Sequence, residues 1–281
     1  MFRDDLLAGK RVLITGGGTG LGKSMGRRFL ELGAELAICG RRAEVLEATA
    51  QEHRAATGGA VSTHVCDVRD VDAVEALVEE LFAARPLAAL VNNAAGNFVC
   101  KSEELSPRAL DAVLGIVLKG SVSCTLACGR RWLAAGAPGT VLSIATTYAW
   151  TGSAYVLPSA MAKAGVVAMT QSLAVEWGGR GIRLNAIAPG PFPTQGAWER
   201  LVPKPELAAH FETHNPLGRP GRHQELADLA TYLLADGSAY VNGAVVTIDG
   251  GAWLQGAGTF SFLKDMLSEE DWQALKPKKA R

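Results

Sequence analysis

Residues 13–23 read Leu-Ile-Thr-Gly-Gly-Gly-Thr-Gly-Leu-Gly-Lys, a stretch whose chemistry is the holding of phosphate. An apolar run, Val12 to Ile14, precedes it and reads as a buried strand. A helical pattern follows, with Met25, Phe29, Leu30 and Leu32 on its apolar side. Strand, glycine turn and helix in that order separate a phosphate cradle from a merely flexible loop. Glycines at 16, 20 and 22 permit a tight turn, close approach of backbone to a pyrophosphate and close helix–strand packing. The helix N-terminus adds unpaired N–H groups and the positive end of its dipole. The implied ligand is a dinucleotide. A second run, ending Cys39-Gly40-Arg41-Arg42, bears on which one. Sites that accept a free ribose 2′-hydroxyl usually present an acidic residue here. Arg41 instead suits a 2′-phosphate through charge-assisted hydrogen bonds, with Arg42 either helping or exposed. These residues predict NADP(H).

The elements that must position these groups alternate along the chain. Strand-like runs are expected at 11–15, 35–39, 61–66, 87–91, 141–145, 182–187 and 245–248. Helical patterns are expected at 20–32, 43–56, 71–84, 108–135, 157–178 and 223–235. Such alternation predicts an α/β fold, a parallel sheet covered on both faces and doubly wound with right-handed crossovers. No linker or repeat interrupts it, so residues 1–281 read as a single domain. A lid-like segment is expected at about 190–215 and a C-terminal tail at about 255–281.

Bulk composition narrows the function. The 281 residues are 48% apolar, and 28 Lys+Arg balance 28 Asp+Glu, so no global field recruits nucleic acid or an acidic membrane. No uninterrupted apolar run reaches the length of a membrane span. The five cysteines (39, 66, 100, 124 and 128) form no C-x-x-C pair, and no metal site is expected. Their odd number and the lack of a signal-like N-terminus predict a reducing, cytoplasmic setting.

Further stretches then line up: Asn92-Asn93-Ala94-Ala95-Gly96, Thr146 to Lys163, Pro189-Gly190-Pro191-Phe192-Pro193-Thr194 and Asp249-Gly250-Gly251. With the glycine turn they resemble the short-chain dehydrogenase/reductase family over nearly the whole chain. The resemblance implies a Rossmann-like domain with a seven-stranded parallel sheet and a bound nicotinamide dinucleotide. By the same resemblance Thr15, Gly16, Gly18, Thr19, Gly20, Leu21 and Gly22 form the cradle. Asp67 and Val68 meet the adenine, Asn93 and Ala94 lie near the adenosine ribose, and Lys163 holds the nicotinamide ribose. Pro189, Gly190 and Thr194 then border the nicotinamide. Asn93 has a second reading, as a brace on the neighbouring strand.

The family normally places a tyrosine four residues before its lysine, and here that position is Ser159. Thr146 stands where a serine is usual, and Val117 where a structural asparagine is usual. Ordinary ketone–alcohol chemistry therefore lacks its phenol. Tyr148, just past the fifth strand, supplies another, and Asn97 follows the fourth strand. Ligands bind beyond the carboxyl ends of parallel strands, so both face one pocket. The strings Ile-Thr-Gly-Gly-Gly-Thr-Gly-Leu-Gly-Lys, Asn-Asn-Ala-Ala-Gly-Asn-Phe and Pro-Ser-Ala-x-Ala-Lys-Ala-Gly resemble the 2,4-dienoyl-CoA reductases. That resemblance implies Asn97, Tyr148, Ser159 and Lys163 as active residues, an acyl-CoA substrate reduced by NADPH to a trans-3-enoyl-CoA in fatty-acid β-oxidation, and a homotetramer built through 108–135 and 157–178. Plainer readings stand beside these. Tyr148 packs beside Trp150, Asn97 closes a turn, or Ser159 merely starts a helix after Pro158. Two other functions also remain open. One is a 3-oxoacyl thioester reductase using Tyr148 or Tyr155, and the other a non-catalytic dinucleotide-binding scaffold.

Overall fold

Apolar runs and amphipathic helices alternate in space as they do in sequence. The computed structural model describes residues 2–194, 213–257, 268 and 270. Seven parallel strands, β1 (Arg11–Thr15), β2 (Glu35–Gly40), β3 (Val61–Val65), β4 (Ala89–Asn92), β5 (Gly139–Ile144), β6 (Ile182–Pro189) and β7 (Val245–Ile248), make one sheet. Its order is β3-β2-β1-β4-β5-β6-β7. The helices are α1 (Gly20–Glu31), α2 (Ala43–Thr57), α3 (Val71–Ala84), α4 (Pro107–Val113), α5 (Gly120–Ala135), α6 (Tyr148–Thr151), α7 (Leu157–Gly178), α8 (His223–Leu234) and α9 (Ala252–Ala257). The doubly wound, Rossmann-like arrangement follows from the strand pattern. Val12 and Ile14 join one buried cluster with Met25 and Phe29 of α1 and Leu226 and Leu233 of α8. Leu13, between them, points to the other face and packs with residues of α3 and α5, including Val78 and Trp132. Strands buried on both faces need apolar residues at every position, which is why they read as continuous runs.

Strand order reverses between β1 and β4. The loops that leave their carboxyl ends diverge there and open a crevice, the usual ligand position in such sheets. The glycine turn leaves β1, and Asn93 to Asn97 leave β4.

The helix expected over 108–135 is a continuous run from Pro107 to Ala135 with one irregularity. Ser106 caps its start by accepting from the Ala109 N–H at 3.2 Å, with Pro107 in the first turn. Residues Leu114–Lys119 then form a π-turn. Within this 29-residue run an 18-residue window has a mean hydropathy of 1.6, enough for a membrane span by length and composition, although no uninterrupted apolar stretch shows it. Cys124, Ala127, Cys128 and Trp132 are instead packed against the sheet. The expected lid lies, at residues 195–212, outside the described residues. So does the tail at 258–267, 269 and 271–281.

Candidate active site

The glycine turn is held by β2 and by the loop after β4. Gly16 has φ +65°, and its N–H donates to the Cys39 carbonyl at 2.8 Å. A Cβ on Gly22 would stand 2.5 Å from Asn93 Nδ2 and 2.6 Å from the Gly16 carbonyl oxygen, so α1 can approach this closely only through glycine. Asn93 Nδ2 donates to the carbonyls of Thr15 (3.0 Å) and Gly16 (3.1 Å). Thr15 Oγ1 accepts from the N–H groups of Asn93 and Ala94, both at 3.0 Å. The side chains of Asn93 and Thr15 therefore brace the turn. Thr15 and Gly22 line neither cavity described below, and they shape the cradle from behind. Thr19 precedes α1 with no side-chain capping bond, which leaves the first-turn amides for an anion.

Beyond the turn lie two adjoining cavities. The smaller, about 170 Å³, is bordered by Gly18, Arg41, Arg42, Asp67, Val68 and Ala94. Asp67 is the one carboxylate on its wall among the described residues, and Arg69 engages it with Nε 3.0 Å from both oxygens. The Arg69 hydrogen bonds hold the Asp67 carboxyl below the usual range. The Arg41 charge lowers it further, and Arg41 and Arg42 are the two cations on this wall among the described residues. Cys39 and Cys66 also border it, and burial pushes both thiols up, as expected of small apolar fillers rather than reactive groups.

The larger cavity, about 510 Å³, collects Leu21, Asn97, Tyr148, Ser159, Lys163, Pro189, Gly190 and Thr194. Gly16, Thr19, Gly20, Asn93 and Ala94 also border it, so it runs on from the glycine turn. Asn97 Nδ2 donates to the Tyr148 hydroxyl at 3.3 Å, and that hydroxyl lies 3.1 Å from Ser159 Oγ. Asn97 Oδ1 accepts from the Phe98 N–H at 2.9 Å, so the residue closes its turn as well as reaching Tyr148. Three residues 51 and 11 positions apart in sequence are thereby joined by one phenol oxygen. Tyr148 does not stack on Trp150, whose ring partner is Trp253. If the Asn97 amide and the Ser159 hydroxyl both donate to the phenol oxygen, the Tyr148 proton is free to face a ligand.

Lys163 is buried, and its ammonium donates to the Ile144 carbonyl at the end of β5. Burial lowers its pKa from 10.5 to about 8. Thr146 also borders this cavity, as does Val117 from the π-turn, whose neighbour Ile116 borders the smaller one. Tyr155 is exposed and does not border this cavity.

Some positioning residues have no local signal. Nδ1 of His223 lies 2.7 Å from Ser24 Oγ on α1, and its Nε2 lies 2.7 Å from the Pro193 carbonyl. This bridge holds Thr194 over the glycine turn, where a Cβ on Gly20 would meet it at 3.4 Å. Gly190 must be glycine because a Cβ there would fall 2.6 Å from Asp249 Cβ. The Asp-Gly-Gly stretch thus backs the loop bearing Pro189 and Gly190.

The cradle, the cavities and the strand order define a dinucleotide-dependent oxidoreductase. Residues 16–252 match the family model described as enoyl-(acyl carrier protein) reductase. A Bacillus subtilis (strain 168) protein named "Probable 2,4-dienoyl-CoA reductase [(2E)-enoyl-CoA-producing]" is 44% identical over 247 residues, 87% of this chain and 97% of the relative. A Caenorhabditis elegans protein named "Probable 2,4-dienoyl-CoA reductase 3 [(3E)-enoyl-CoA-producing]" is 42% identical over 256 residues, 89% of this chain and 82% of the relative. The crystal structure of a short chain dehydrogenase from Bacillus anthracis str. 'Ames Ancestor' aligns with a TM-score of 0.79 at 42% identity, covering 86% of this chain and 96% of that one. The chain belongs to the short-chain dehydrogenase/reductase family.

Proposed function

We propose that the protein reduces a conjugated acyl-CoA thioester with NADPH, as a 2,4-dienoyl-CoA reductase does. The observation that carries this reading is the Asn97–Tyr148–Ser159 cluster, which places the phenol away from the position it holds in ketone reductases of the family. The names of the two relatives support it, and because they differ in the product double bond, the reading leaves that bond's position to experiment.

The residues present fit the cofactor. A Cβ on Gly16 would stand 3.0 Å from Ala94 Cα, so the turn is pressed against the neighbouring loop as a phosphate cradle requires. The amides at the start of α1 would hold the pyrophosphate, and Lys163 the nicotinamide ribose. When bound, the reduced nicotinamide supplies a hydride to the conjugated chain, and negative charge collects on the thioester oxygen. Tyr148 and Asn97 would donate hydrogen bonds to that oxygen, the arrangement of an oxyanion hole. Asn97 has a second N–H for this while the first engages the phenol. Ser159 keeps the phenol oriented, and Lys163 adds a positive charge nearby. A proton from water or an acid then adds to a carbon of the dienolate and completes the reduction, so it need not come from a tyrosine at position 159. The same reading carries a homotetramer through the helical run 108–135 and α7, where Met161 and Val175 of α7 are exposed.

NADPH is preferred over NADH on the same reading, because the wall of the smaller cavity offers Arg41 and Arg42 to a 2′-phosphate. A charge-assisted hydrogen bond contributes about 1.5–3 kcal/mol. Arg41→Ala is therefore expected to weaken NADPH binding by about ten- to a hundredfold and NADH binding far less. Fluorescence titration with both dinucleotides measures this, and an unchanged ratio would remove Arg41 from the role.

Function itself is tested by NADPH consumption with dienoyl-, enoyl- and 3-oxoacyl-CoA substrates. Turnover confined to the dienoyl thioester is expected, and mass analysis of the product gives the position of its double bond. Turnover of the 3-oxoacyl substrate alone would sink the reading, as would tight NADPH binding with no turnover.

A further inference from the structure

Tyr148 takes its direction from α6, which is one helical turn of four residues. The Ala149 N–H donates to the Thr146 carbonyl at 3.2 Å and the Gly152 N–H to the Tyr148 carbonyl at 3.0 Å. So short a helix does not sustain itself, because nucleation costs more than the first hydrogen bonds return. Its orientation is imposed by what it packs on. Residues two apart in a helix point about 200° apart, so Tyr148 and Trp150 face opposite sides of the turn. On one side Asn97 and Ser159 hold the Tyr148 hydroxyl. On the other the Trp253 ring meets the Trp150 ring edge to face, with centroids 5.6 Å apart and planes at 87°. The turn also lies on α7, the helix that carries Ser159.

Trp253 belongs to the C-terminal element, and its own position is fixed by backbone bonds. The Asp249 carboxylate accepts from the Gly251 N–H at 2.9 Å and from the Trp253 N–H at 2.8 Å, which pins the start of α9 to the end of β7. Asn215 Nδ2 donates to the Asp249 carbonyl at 2.9 Å and fixes the same point from another side. The indole N–H of Trp253 is buried without an acceptor among the described residues, so packing and not a hydrogen bond decides where this ring lies. Its aromatic partner is Trp150. Edge-to-face pairs prefer one relative geometry, which makes such a contact directional as well as apolar.

We propose that Trp253 is a positioning residue. Through Trp150 it holds α6 so that the Tyr148 phenol stays on Asn97 and Ser159, which couples the C-terminal element to the oxyanion donor. The proposal deepens the reading of Tyr148 as that donor and rests on it.

Trp253→Ala removes the ring and keeps the backbone bond to Asp249. With the dienoyl thioester, kcat should fall about two- to tenfold, the range over which one aromatic pair weights a local equilibrium. NADPH affinity should be unchanged. Trp150→Ala should act alike, and the double variant should lose no more than either single one. Trp253→Phe keeps an aromatic partner and should restore most of the rate. In the Tyr148→Phe background, Trp253→Ala should cost nothing further. A further loss there would overturn the proposal, since Trp253 would then act other than through the phenol. A loss of NADPH affinity as large as the loss of kcat would overturn it too, by placing the effect at Asp249 and Gly190.

A second measurement needs no turnover. Fluorine NMR of the protein carrying 3-fluorotyrosine observes its four tyrosines, and the Tyr148 resonance is the one missing from Tyr148→Phe. Trp253→Ala should broaden or split that resonance and leave those of Tyr232 and Tyr240 as they are. A single unaltered Tyr148 line would overturn the proposal and leave the dienoyl reading standing. A split line without dienoyl turnover in the wild type would keep the positioning role and overturn that reading. If Trp253→Ala does not fold, Trp150→Ala carries both measurements.

Discussion

Tyr148→Phe is expected to lower kcat by about 100-fold or more, with NADPH affinity within about twofold of the wild type. The substitution keeps the ring and removes only the hydroxyl through which Asn97 and Ser159 are joined. A donor aimed at developing negative charge acts mostly in the transition state, so the loss should appear in kcat more than in KM. Asn97→Ala removes the second donor and should cost a comparable factor. Ser159→Ala should cost less, because Ser159 acts here through the phenol. A double-mutant cycle separates the roles. If Ser159 only positions Tyr148, then adding Ser159→Ala to the Tyr148→Phe background changes nothing further. Additive losses would mean that Ser159 touches the substrate independently. Activity surviving Tyr148→Phe at full rate would remove the oxyanion assignment altogether.

The sequence reveals this site unevenly, and the unevenness has physical causes. The sheet is legible because strands buried on both faces must be apolar throughout, and the glycine turn because a tight phosphate cradle admits few residue types. Asn97 and Tyr148 are legible as neighbours because parallel strands deliver the loops after β4 and β5 to one crevice. That their side chains touch is not, since it depends on how segments 51 positions apart are turned. Asn93 shows the ambiguity in full. Its position beside the cradle suggests a ligand contact, but its amide is spent on the carbonyls of Thr15 and Gly16. The π-turn at Leu114–Lys119 leaves no mark, because one extra residue in a helical turn does not change its apolar spacing much. His223 is equally silent: its partners lie 199 and 30 positions away. Trp150 is visible only as an aromatic near Tyr148, and its pairing with Trp253 depends on where the C-terminal element docks.

Lys163→Met is expected to abolish most activity and to remove a pH dependence of stability carried by one buried amine. The ammonium of this α7 residue is enclosed with no carboxylate partner among the described residues, and burial lowers its pKa from 10.5 to about 8. Below pH 8 both folded and unfolded chains hold the proton, and the fold bears the whole cost of burying the charge. Between about 8 and 10.5 the unfolded chain binds more protons than the folded one, so wild-type stability rises with pH through that window. At about 1.36 kcal/mol per pKa unit the full rise is about 3 kcal/mol. Lys163→Met lacks it, so the wild type should gain about 2–3 kcal/mol relative to the variant between pH 7 and pH 10. The offset at a single pH is a poorer test. Losing the bond to the Ile144 carbonyl leaves an acceptor short of a partner, at a cost of about 1–3 kcal/mol that opposes the relief of the buried charge. Comparing denaturant midpoints across the pH series cancels that constant term and all titrations the two proteins share. Parallel pH curves would show that the lysine titrates alike in the folded and unfolded chains, its burial carrying no cost in charge. A steeper rise in the wild type would show a cation kept at a measurable cost to stability beside the place where a ribose hydroxyl and an electron-rich thioester are to be held.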